Sequence, residues 1–361
     1  MKIKRIIAAA VFVCLLGGMM TSVGHFWRPA EMDTDNLNYL YKEDKDTLNV
    51  VCMGSSAMYR FWIPQQAYQE QGFTSALVAT ADQNIHAIPY LMDEVEKTQD
   101  VDLYVVEVRY PEAAQARVIN KKNDPKNDLA MFSYIATGMR PSLNRLAMIN
   151  DLLEEDEENT KLEWMLPILK YHGNAVTFKS DKVVERLNGI VDTDMYVRQT
   201  YKVTPMEATA LKENDTIPLS EEYKNSIDRI AAKAEELGKR VFFLSTPYFP
   251  GEVRGNLHVQ MSEYIKQQGY DYLDMMDLMD EIGLDARTDY YDEQHTNIAG
   301  SQKVTTYLAS YLAKNYELPD RLDEVQKEHW RIVCEEWNKN ADELMEKWKE
   351  EVAKGVTDEK E

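Results

Sequence analysis

One stretch decides the fold: Leu48-Asn49-Val50-Val51-Cys52-Met53-Gly54-Ser55-Ser56. Its first six residues form a short, mostly apolar run that is rich in strand-favouring residues and stops at a glycine. Such a run is typical of a buried parallel strand that feeds a tight turn. We therefore predict the first strand of an α/β domain over 48–53, with Gly54, Ser55 and Ser56 at its carboxyl end.

Strand and helix patterns alternate along the rest of the chain, with one long interruption. Before the interruption the predicted elements are a helix over 58–70, a strand over 75–79, a helix over 87–97 and a strand over 101–108. After it they are a helix over 221–237, a strand over 240–245, a helix over 257–268, a strand over 270–273 and a helix over 298–314. This alternation implies right-handed βαβ crossovers and a parallel sheet, so we predict one α/β domain over 47–315.

Three segments surround or interrupt this domain. Residues 28–46 are polar and acidic and are predicted to form a stalk, and residues 110–218 are predicted to be a mostly helical insertion. The tail over 316–361 is highly charged, with tryptophans at helical spacing. An amphipathic tail of this kind either packs on the domain or contacts a membrane or partner. We favour packing, because its many glutamates would be repelled by anionic lipid.

The N-terminus has the features of a membrane anchor. Lys2, Lys4 and Arg5 precede an uncharged stretch over 6–27, which as a helix would reach about 33 Å and cross a bilayer core. The basic residues lie before the stretch, so the positive-inside rule places the following chain outside the cytoplasm. We expect residues 1–27 to be a single-pass transmembrane anchor in the cell membrane, and a cleaved signal peptide is the alternative.

Composition excludes several classes of function. The formal net charge is −21, from 62 acidic and 41 basic residues, so the chain as a whole repels phosphate backbones and we predict no nucleic-acid binding. Three scattered cysteines argue against a disulfide framework. Cysteine and histidine show no zinc-ligand spacing, and we predict no metal and no other cofactor. A hydrophobic fraction of 44% is enough for a packed core.

Ser55 and Ser56 occupy the position where open α/β sheets bind ligands, beyond the carboxyl end of a strand. Gly54 permits the sharp turn, and a serine at the start of the next helix has backbone N–H groups nearby that a developing oxyanion could use. These features would suit a nucleophile, although this motif alone does not favour that role. The alternative is that the two serines only cap the helix.

A second polar segment, residues 289–297, precedes the last helix of the domain and contains Asp292 and His295. An acid and a histidine three residues apart on a turn can place the imidazole against the carboxylate, which is the arrangement that a serine nucleophile needs in its general base. A lone surface histidine is the alternative. Because loops from a parallel sheet can converge, we predict that Ser56, Asp292 and His295 form a catalytic triad.

Both segments resemble blocks of a known superfamily. Gly54-Ser55-Ser56 is similar to the first block of the SGNH (GDSL-like) hydrolases, and Asp292-Glu293-Gln294-His295 is similar to the last. The resemblance is closest to the membrane-anchored branch of DltD-like and alginate O-acetylation-like proteins, and it covers about 47–315. It implies a flavodoxin-like three-layer sandwich in which the serine that closes the first block, Ser56, is the nucleophile and Asp292 and His295 complete the triad.

The chain departs from the pattern of that superfamily in the oxyanion-binding blocks. Ser55 stands where most members have aspartate. The DltD-like branch shares this departure from the wider pattern. The second block lacks its usual glycine donor, and Gln83 is our candidate replacement. No asparagine follows the third strand; Arg109 is predicted to bind an acyl carboxylate or the oxyanion instead, and an ion pair with Glu107 is the alternative.

The function implied by these features and by the resemblance is that of an extracytoplasmic serine-dependent O-acyltransferase. We expect it to move an acetyl or D-alanyl group onto a cell-envelope polysaccharide or polymer, with a multi-pass membrane O-acyltransferase as partner. Backbone N–H groups of residues 56 and 57 would help Gln83 to hold the oxyanion. The alternatives are an extracellular carbohydrate esterase, since the triad cannot distinguish water from a sugar hydroxyl, and a non-catalytic envelope scaffold, which the missing third-block donor would explain.

Overall fold

The structure is a computed structural model, and it describes residues 2–27, 37, 39–109, 119, 128–156, 160–172, 199–207, 217–250 and 252–358. The chain forms two compact units. The first, which we call the anchor unit, combines Met1–Asp35 with Val118–Asp192, and the second, the α/β unit, combines Asn36–Arg117 with Thr193–Glu361. The predicted insertion over 110–218 therefore contributes to both units.

The helices of the described residues are numbered in chain order. They are α1 (Lys2–Trp27), α2 (Ser56–Tyr59), α3 (Pro64–Gln71), α4 (Ile88–Val95), α5 (Asp128–Gly138), α6 (Leu143–Leu152), α7 (Lys161–Met165), α8 (Pro167–Tyr171), α9 (Glu221–Leu237), α10 (Glu252–Gln268), α11 (Met279–Ile282), α12 (Ile298–Asn315) and α13 (Glu324–Asp358). Short 3₁₀ turns occupy Ile85–Ala87 and Met275–Leu278.

A parallel sheet forms the centre of the α/β unit. In the described part of the chain its five strands are β1 (Val50–Gly54), β2 (Ser75–Ala79), β3 (Leu103–Glu107), β4 (Arg240–Ser245) and β5 (Tyr272–Asp274). Their order is β2-β1-β3-β4-β5, and every neighbouring pair is parallel. The predicted α/β class with a parallel sheet is confirmed.

Helices cover both faces of this sheet. On one face, Val105 of β3 and Phe242 of β4 belong to the same buried cluster as Leu308 and Leu312 of α12. On the other face, the Tyr104 hydroxyl donates to Glu96, next to α4, at 2.7 Å. Strands β1, β2 and β3 are buried on both sides, which explains why β1 reads as a continuous apolar run and not as an alternating one.

The predicted helix over 58–70 is wrong, because two helices occupy this segment. Ile63, with φ −122° and ψ 96°, is extended and separates α2 from α3. Pro64 takes the first position of α3, where its missing N–H costs nothing. The Ile63 N–H donates to Thr305 Oγ1 of α12 at 3.1 Å. A side chain thus satisfies the main-chain donor that the break between the two helices leaves without a helical partner.

The predicted stalk over 28–46 is wrong for its final residues. Leu40 is buried, and the Tyr41 hydroxyl donates to Glu94 Oε1 of α4 at 2.7 Å. The Asp46 N–H donates to the Thr98 carbonyl at 3.1 Å. Residues 39–46 therefore pack on the α/β unit, while residues 28–36 and 38 of the predicted stalk lie outside the described residues.

The tail helix α13 packs on the α/β unit. Trp337 and Ala341 form a buried cluster with Ile63 and Ile298, the residues that flank α3 and α12 at their start. The Trp348 Nε1–H donates to the Thr288 carbonyl at 2.8 Å. The tryptophans and several other apolar residues of this highly charged, 35-residue helix thus face the domain.

Strands β6 (Tyr290–Asp292) and β7 (His295–Thr296) form a small antiparallel hairpin that the sequence patterns did not predict. The extended segment 199–207 lies beside it, and the Thr204 N–H donates to the Tyr290 carbonyl at 2.9 Å. This segment was predicted to be part of the insertion, but it belongs to the α/β unit.

Among the described residues, one helix is long and apolar enough to cross a membrane. Its apolar window, Ile3–Met20 in α1, has a mean hydropathy of 1.9 and is not buried by the rest of the chain. This is compatible with the predicted single-pass anchor.

Candidate active site

The first part of the site is the turn that follows β1. Gly54 has a φ of +151°, a conformation that side-chain-bearing residues rarely adopt, and it lets the chain leave the strand abruptly. Ser56 is the first residue of α2 and is partly exposed. Because strand order reverses between β1 and β3, Ser56 lies at the topological switch point, where doubly wound sheets bind their ligands.

The second part of the site is the β6–β7 hairpin, which brings Asp292 and His295 to Ser56. Ser56 Oγ lies 2.7 Å from His295 Nε2. On the other side of the ring, His295 Nδ1 lies 2.9 and 3.0 Å from the two carboxylate oxygens of Asp292. The three side chains that the sequence predicted as a triad therefore form one continuous hydrogen-bonded chain, in the order alcohol, imidazole, carboxylate.

Hydrogen bonds between side chains and the main chain hold this hairpin in place. The Gln294 N–H donates to Asp292 Oδ1 at 2.8 Å, which fixes the carboxylate. Thr296 Oγ1 donates to the Arg60 carbonyl at 2.9 Å, so the residue after His295 is tied to the segment that follows α2. Asn297 caps α12 through the Ala299 N–H at 3.1 Å. Hydrogen bonds made by the residues before and after His295 in the chain therefore position its imidazole.

The electrostatics of the site favour a neutral histidine. Burial lowers the pKa of His295, and the positive charges of Arg109 and Arg60 lower it further, which together outweigh the opposing effect of Asp292. Burial raises the pKa of Asp292, but hydrogen bonds from His295 and from main-chain N–H groups outweigh it, so the pKa lies below its ordinary value. A neutral imidazole held by an ionised carboxylate can accept the proton of Ser56.

Ser55 was predicted to contribute to oxyanion or substrate binding, and the structure gives it the alternative role. It is buried, and its Oγ accepts the Ala57 N–H at 3.3 Å as the cap of α2. One of the two predicted main-chain donors of the oxyanion hole, the Ala57 N–H, is therefore already bonded to a side chain. It would serve an oxyanion only by giving up this contact.

Gln83 lies after β2, the strand beside β1. Asp82, with a φ of +42°, turns the chain so that the Gln83 side chain is buried. Its Nε2 donates one hydrogen to the Val78 carbonyl at 3.1 Å, which anchors the amide to β2. A second hydrogen remains on the same nitrogen. The role of Gln83 as an oxyanion donor stays a prediction.

Arg109 does not fit the predicted role of substrate ligand. Its side chain is fully buried, and its guanidinium donates to the Pro247 carbonyl at 3.2 Å and to the Gln294 carbonyl. The alternative is confirmed, because Arg109 Nε lies 3.7 Å from Glu107 Oε1 and the Arg109 N–H donates to the same oxygen at 3.0 Å. Arg109 therefore ties the loops after β3 and β4 to the residue that precedes His295.

Two side chains beside the triad were not predicted. The ring of Tyr291 stacks on the imidazole of His295, with centroids 5.4 Å apart and planes inclined by 11°. The guanidinium of Arg60 lies 4.9 Å from the centroid of the Tyr291 ring. Tyr291 lies four positions before His295, and Arg60 lies four positions after Ser56, but neither residue type signals such a contact.

Two other histidines each contact one of the two partners that a triad histidine needs: His258 contacts an aspartate, and His86 contacts a serine. His258 Nε2 lies 2.9 Å from Asp274 Oδ2, and its Nδ1 has no hydrogen-bond partner. His86 Nδ1 meets Ser226 Oγ in the interior of the α/β unit. His258 is buried and has no serine at its second nitrogen, so it lacks the geometry of a general base for a nucleophile.

Comparison of the chain with known protein families and with curated proteins gave no match. The chemical capacity of the site therefore follows from its geometry. A serine hydroxyl bonded to a neutral, carboxylate-oriented imidazole, partly open to solvent, is suited to nucleophilic attack on an acyl carbon.

Proposed function

We propose that this chain is an extracytoplasmic, serine-dependent O-acyltransferase that is anchored in the cell membrane by α1. It moves a small acyl group, acetyl or D-alanyl, onto hydroxyls of a cell-envelope polysaccharide or polymer. The observation that carries the proposal is the bonded chain of Ser56, His295 and Asp292, with contacts of 2.7 Å and 2.9 Å.

The SGNH-like resemblance of the motifs gives further support. That resemblance implies a flavodoxin-like sandwich, and the strand order β2-β1-β3-β4-β5 is the order of flavodoxin-like sheets. It also implies a nucleophile after the first strand and an Asp-x-x-His block before the last helix of the domain, which are the places of Ser56, Asp292 and His295. We assign the α/β unit to this fold on these grounds.

In the proposed first step, His295 Nε2 takes the proton of Ser56 as Oγ attacks the carbonyl carbon of an acyl ester or thioester. The tetrahedral oxyanion is held by the Ser56 N–H, with Gln83 as a further donor. Its collapse breaks the bond to the leaving group, which takes the proton from His295. The acyl group is then an ester of Ser56, and Asp292 has kept the imidazolium oriented and stabilised.

In the second step an acceptor hydroxyl gives its proton to His295 and attacks the acyl-Ser56 ester. The new ester bond forms, the bond to Oγ breaks, and Ser56 regains the proton. If the acceptor is a sugar or polyol, the net reaction is acyl transfer, and if it is water, the net reaction is hydrolysis. The membrane anchor favours a polymer close to the membrane as acceptor, with a multi-pass membrane O-acyltransferase as the source of acyl groups.

The proposal is tested by acyl-ester turnover with the full chain in detergent. We expect the wild type to release p-nitrophenol from p-nitrophenyl acetate, and we expect Ser56→Ala to lose this activity. His258→Asn is the matched control, since it removes a buried histidine that also bonds an aspartate and should leave turnover in place. Equal turnover by the wild type and Ser56→Ala would show that the proposed nucleophile is wrong.

Transfer and hydrolysis are separated in the same assay by adding envelope oligosaccharides as acceptors. Acetylated oligosaccharide that appears with the wild type and not with Ser56→Ala supports transfer. Release of all acetyl groups as free acetate, whatever the acceptor concentration, would identify an esterase. No turnover of any donor and no reaction of Ser56 with acylating reagents would identify a scaffold.

A further inference from the structure

The end of α1, just beyond the apolar window, is in contact with the rest of the anchor unit. Residues near the start of α1, such as Ile3 and Ile7, are exposed. Near its end, Val23 is half-buried and Gly24 is buried. A Cβ atom on Gly24 would lie 2.6 Å from the Ile168 nitrogen, so the main chain of α8 rests directly on α1 at this point.

This contact sets the height of α8 relative to a bilayer that α1 crosses. Gly24 lies four residues beyond Met20, the end of the apolar window, which is about 6 Å along a helix. The polar layer of each leaflet is about 5–8 Å thick. With the window Ile3–Met20 placed in the hydrocarbon core, Pro167 and Ile168, which touch Gly24, are expected in the headgroup layer at the C-terminal end of α1.

Arg145 ties α6 to the end of α7. This buried residue of α6 donates to the Trp164 carbonyl at 2.7 Å and to the Met165 carbonyl at 3.2 Å, at the end of α7. Only Leu166 separates α7 from α8. The first turn of α6 and the whole of α7 are thus within a few residues of the contact with α1.

Three exposed leucines lie on these two helices, and we call them the leucine patch: Leu143 and Leu146, which are three residues apart and share one side of α6, and Leu162 on α7. Leu143 is 85% exposed, Leu146 is 36% exposed and Leu162 is 57% exposed. Outside α1, only three further large apolar side chains of the described residues are so exposed, and these belong to the α/β unit. Single exposed leucines are ordinary, whereas a group beside a membrane span marks an interaction surface.

We propose that the leucine patch inserts into the lipid surface at the C-terminal end of α1, so that the anchor unit is a membrane-surface module as well as a span. The covalent chain holds this surface at the bilayer whether or not another protein is present, and this favours lipid over a protein partner. The inference rests on the membrane anchoring in the proposed function and not on the chemistry of Ser56.

The test uses the full chain in vesicles of phosphatidylcholine and phosphatidylglycerol, with the dye NBD attached to a cysteine at Leu143→Cys or Leu162→Cys. Glu154→Cys is the matched control, because Glu154 is exposed in the same unit and lies beyond the far end of α6, which is about 14 Å long from Leu143 to Leu152. The wild type treated with dye gives the background of the native cysteines. We expect NBD at 143 and 162 to emit at shorter wavelength and to be quenched severalfold more by headgroup-proximal spin-labelled lipid than NBD at 154.

Emission at 143 and 162 that matches position 154 in vesicles would overturn the inference. It would also be overturned if shielding appeared only after a multi-pass membrane partner was added, since the patch would then bind protein. NBD at Ile7→Cys reports whether α1 spans the bilayer. If position 7 is shielded while the leucine patch is exposed to water, the insertion of the patch is refuted and the membrane span is not. Reaction of Ser56 with a fluorophosphonate in the same vesicles separates either result from the fate of the enzyme proposal.

Discussion

Glu107 lies directly beneath the turn at Gly54. A Cβ atom on Gly54 would come within 2.8 Å of the Glu107 Cβ, which belongs to the neighbouring strand and cannot swing away. Gly54 also has a φ of +151°. The turn that presents Ser56 therefore depends on the absence of a side chain at position 54 for two independent reasons.

Gly54→Ala is expected to destabilise the protein by at least the roughly 1–3 kcal/mol of a strained backbone, with the clash in addition. Because the strain falls two residues before Ser56, acyl-ester turnover should fall more than the fraction of unfolded protein explains. Gly72→Ala is the control, since Gly72 has a φ of +80° but open space around its Cβ. Thermal unfolding and turnover measured on both variants test this, and equal behaviour of the two would contradict the role of Glu107.

The activity should persist below pH 6.5. Only neutral His295 can accept the Ser56 proton, and burial, Arg109 and Arg60 lower the pKa of His295 from 6.5. The acid limb of kcat/KM is therefore expected below that pH. Arg60→Gln removes one positive charge, so it should raise the pKa of His295 and move the limb to higher pH.

Arg60→Lys is the matched variant for this experiment because it keeps the charge, and its limb should stay near that of the wild type. A limb that lies above pH 6.5 in the wild type, or that does not respond to Arg60→Gln, would contradict the electrostatic account of His295.

Asp292→Asn should leave the fold intact and reduce turnover by about 10³–10⁴-fold. The asparagine amide can donate an N–H to His295 Nδ1, which then has to be the unprotonated nitrogen of the ring. The ring proton would sit on Nε2, the atom that has to accept the proton of Ser56. Asp292 is 41% exposed, which makes a large loss of stability unexpected. The check is kcat/KM together with circular dichroism, and a loss below tenfold would mean that Asp292 has little part in orienting the imidazole.

Trp337→Ala in α13 should lower the free energy of unfolding by about 3 kcal/mol, as expected for the loss of a buried large side chain. Trp337 packs against Ile63 and Ile298, which lie shortly after Arg60 and His295, so turnover should decrease as well. Val325→Ala, in the same helix but 78% exposed, is the control. Unchanged thermal unfolding of Trp337→Ala would show that the tail does not support the domain.

The central strands could be predicted from the sequence because their signals are local. The strands over 75–79 and 240–245 and the helix over 221–237 were predicted with the bounds that the structure shows. Each is a buried apolar run or an amphipathic helix that ends at a glycine or a polar turn. The break at Pro64 was missed because the helical spacing of apolar residues continues across it.

The triad residues of the site could be predicted from the sequence, whereas the hairpin and the buried arginine that position them could not. Ser56 and His295 are 239 positions apart, and only the expected convergence of loops at one edge of a parallel sheet connected them. The β6–β7 hairpin was missed because strands of two or three residues leave no periodic pattern. The full burial of Arg109 was missed because arginine is rarely buried, and its partners are carbonyl groups that a sequence does not reveal.

Adduct formation on Ser56 with a fluorophosphonate is the measurement that tests the central claim most directly. The account predicts one covalent adduct on the wild-type chain, mapped by mass spectrometry to the peptide that contains Ser56, and none on Ser56→Ala or His295→Ala. Ser226→Ala, which removes the serine that meets His86, should label like the wild type. A folded wild-type chain that forms no adduct, or an adduct that persists in Ser56→Ala, would contradict the claim that Ser56 is an activated nucleophile.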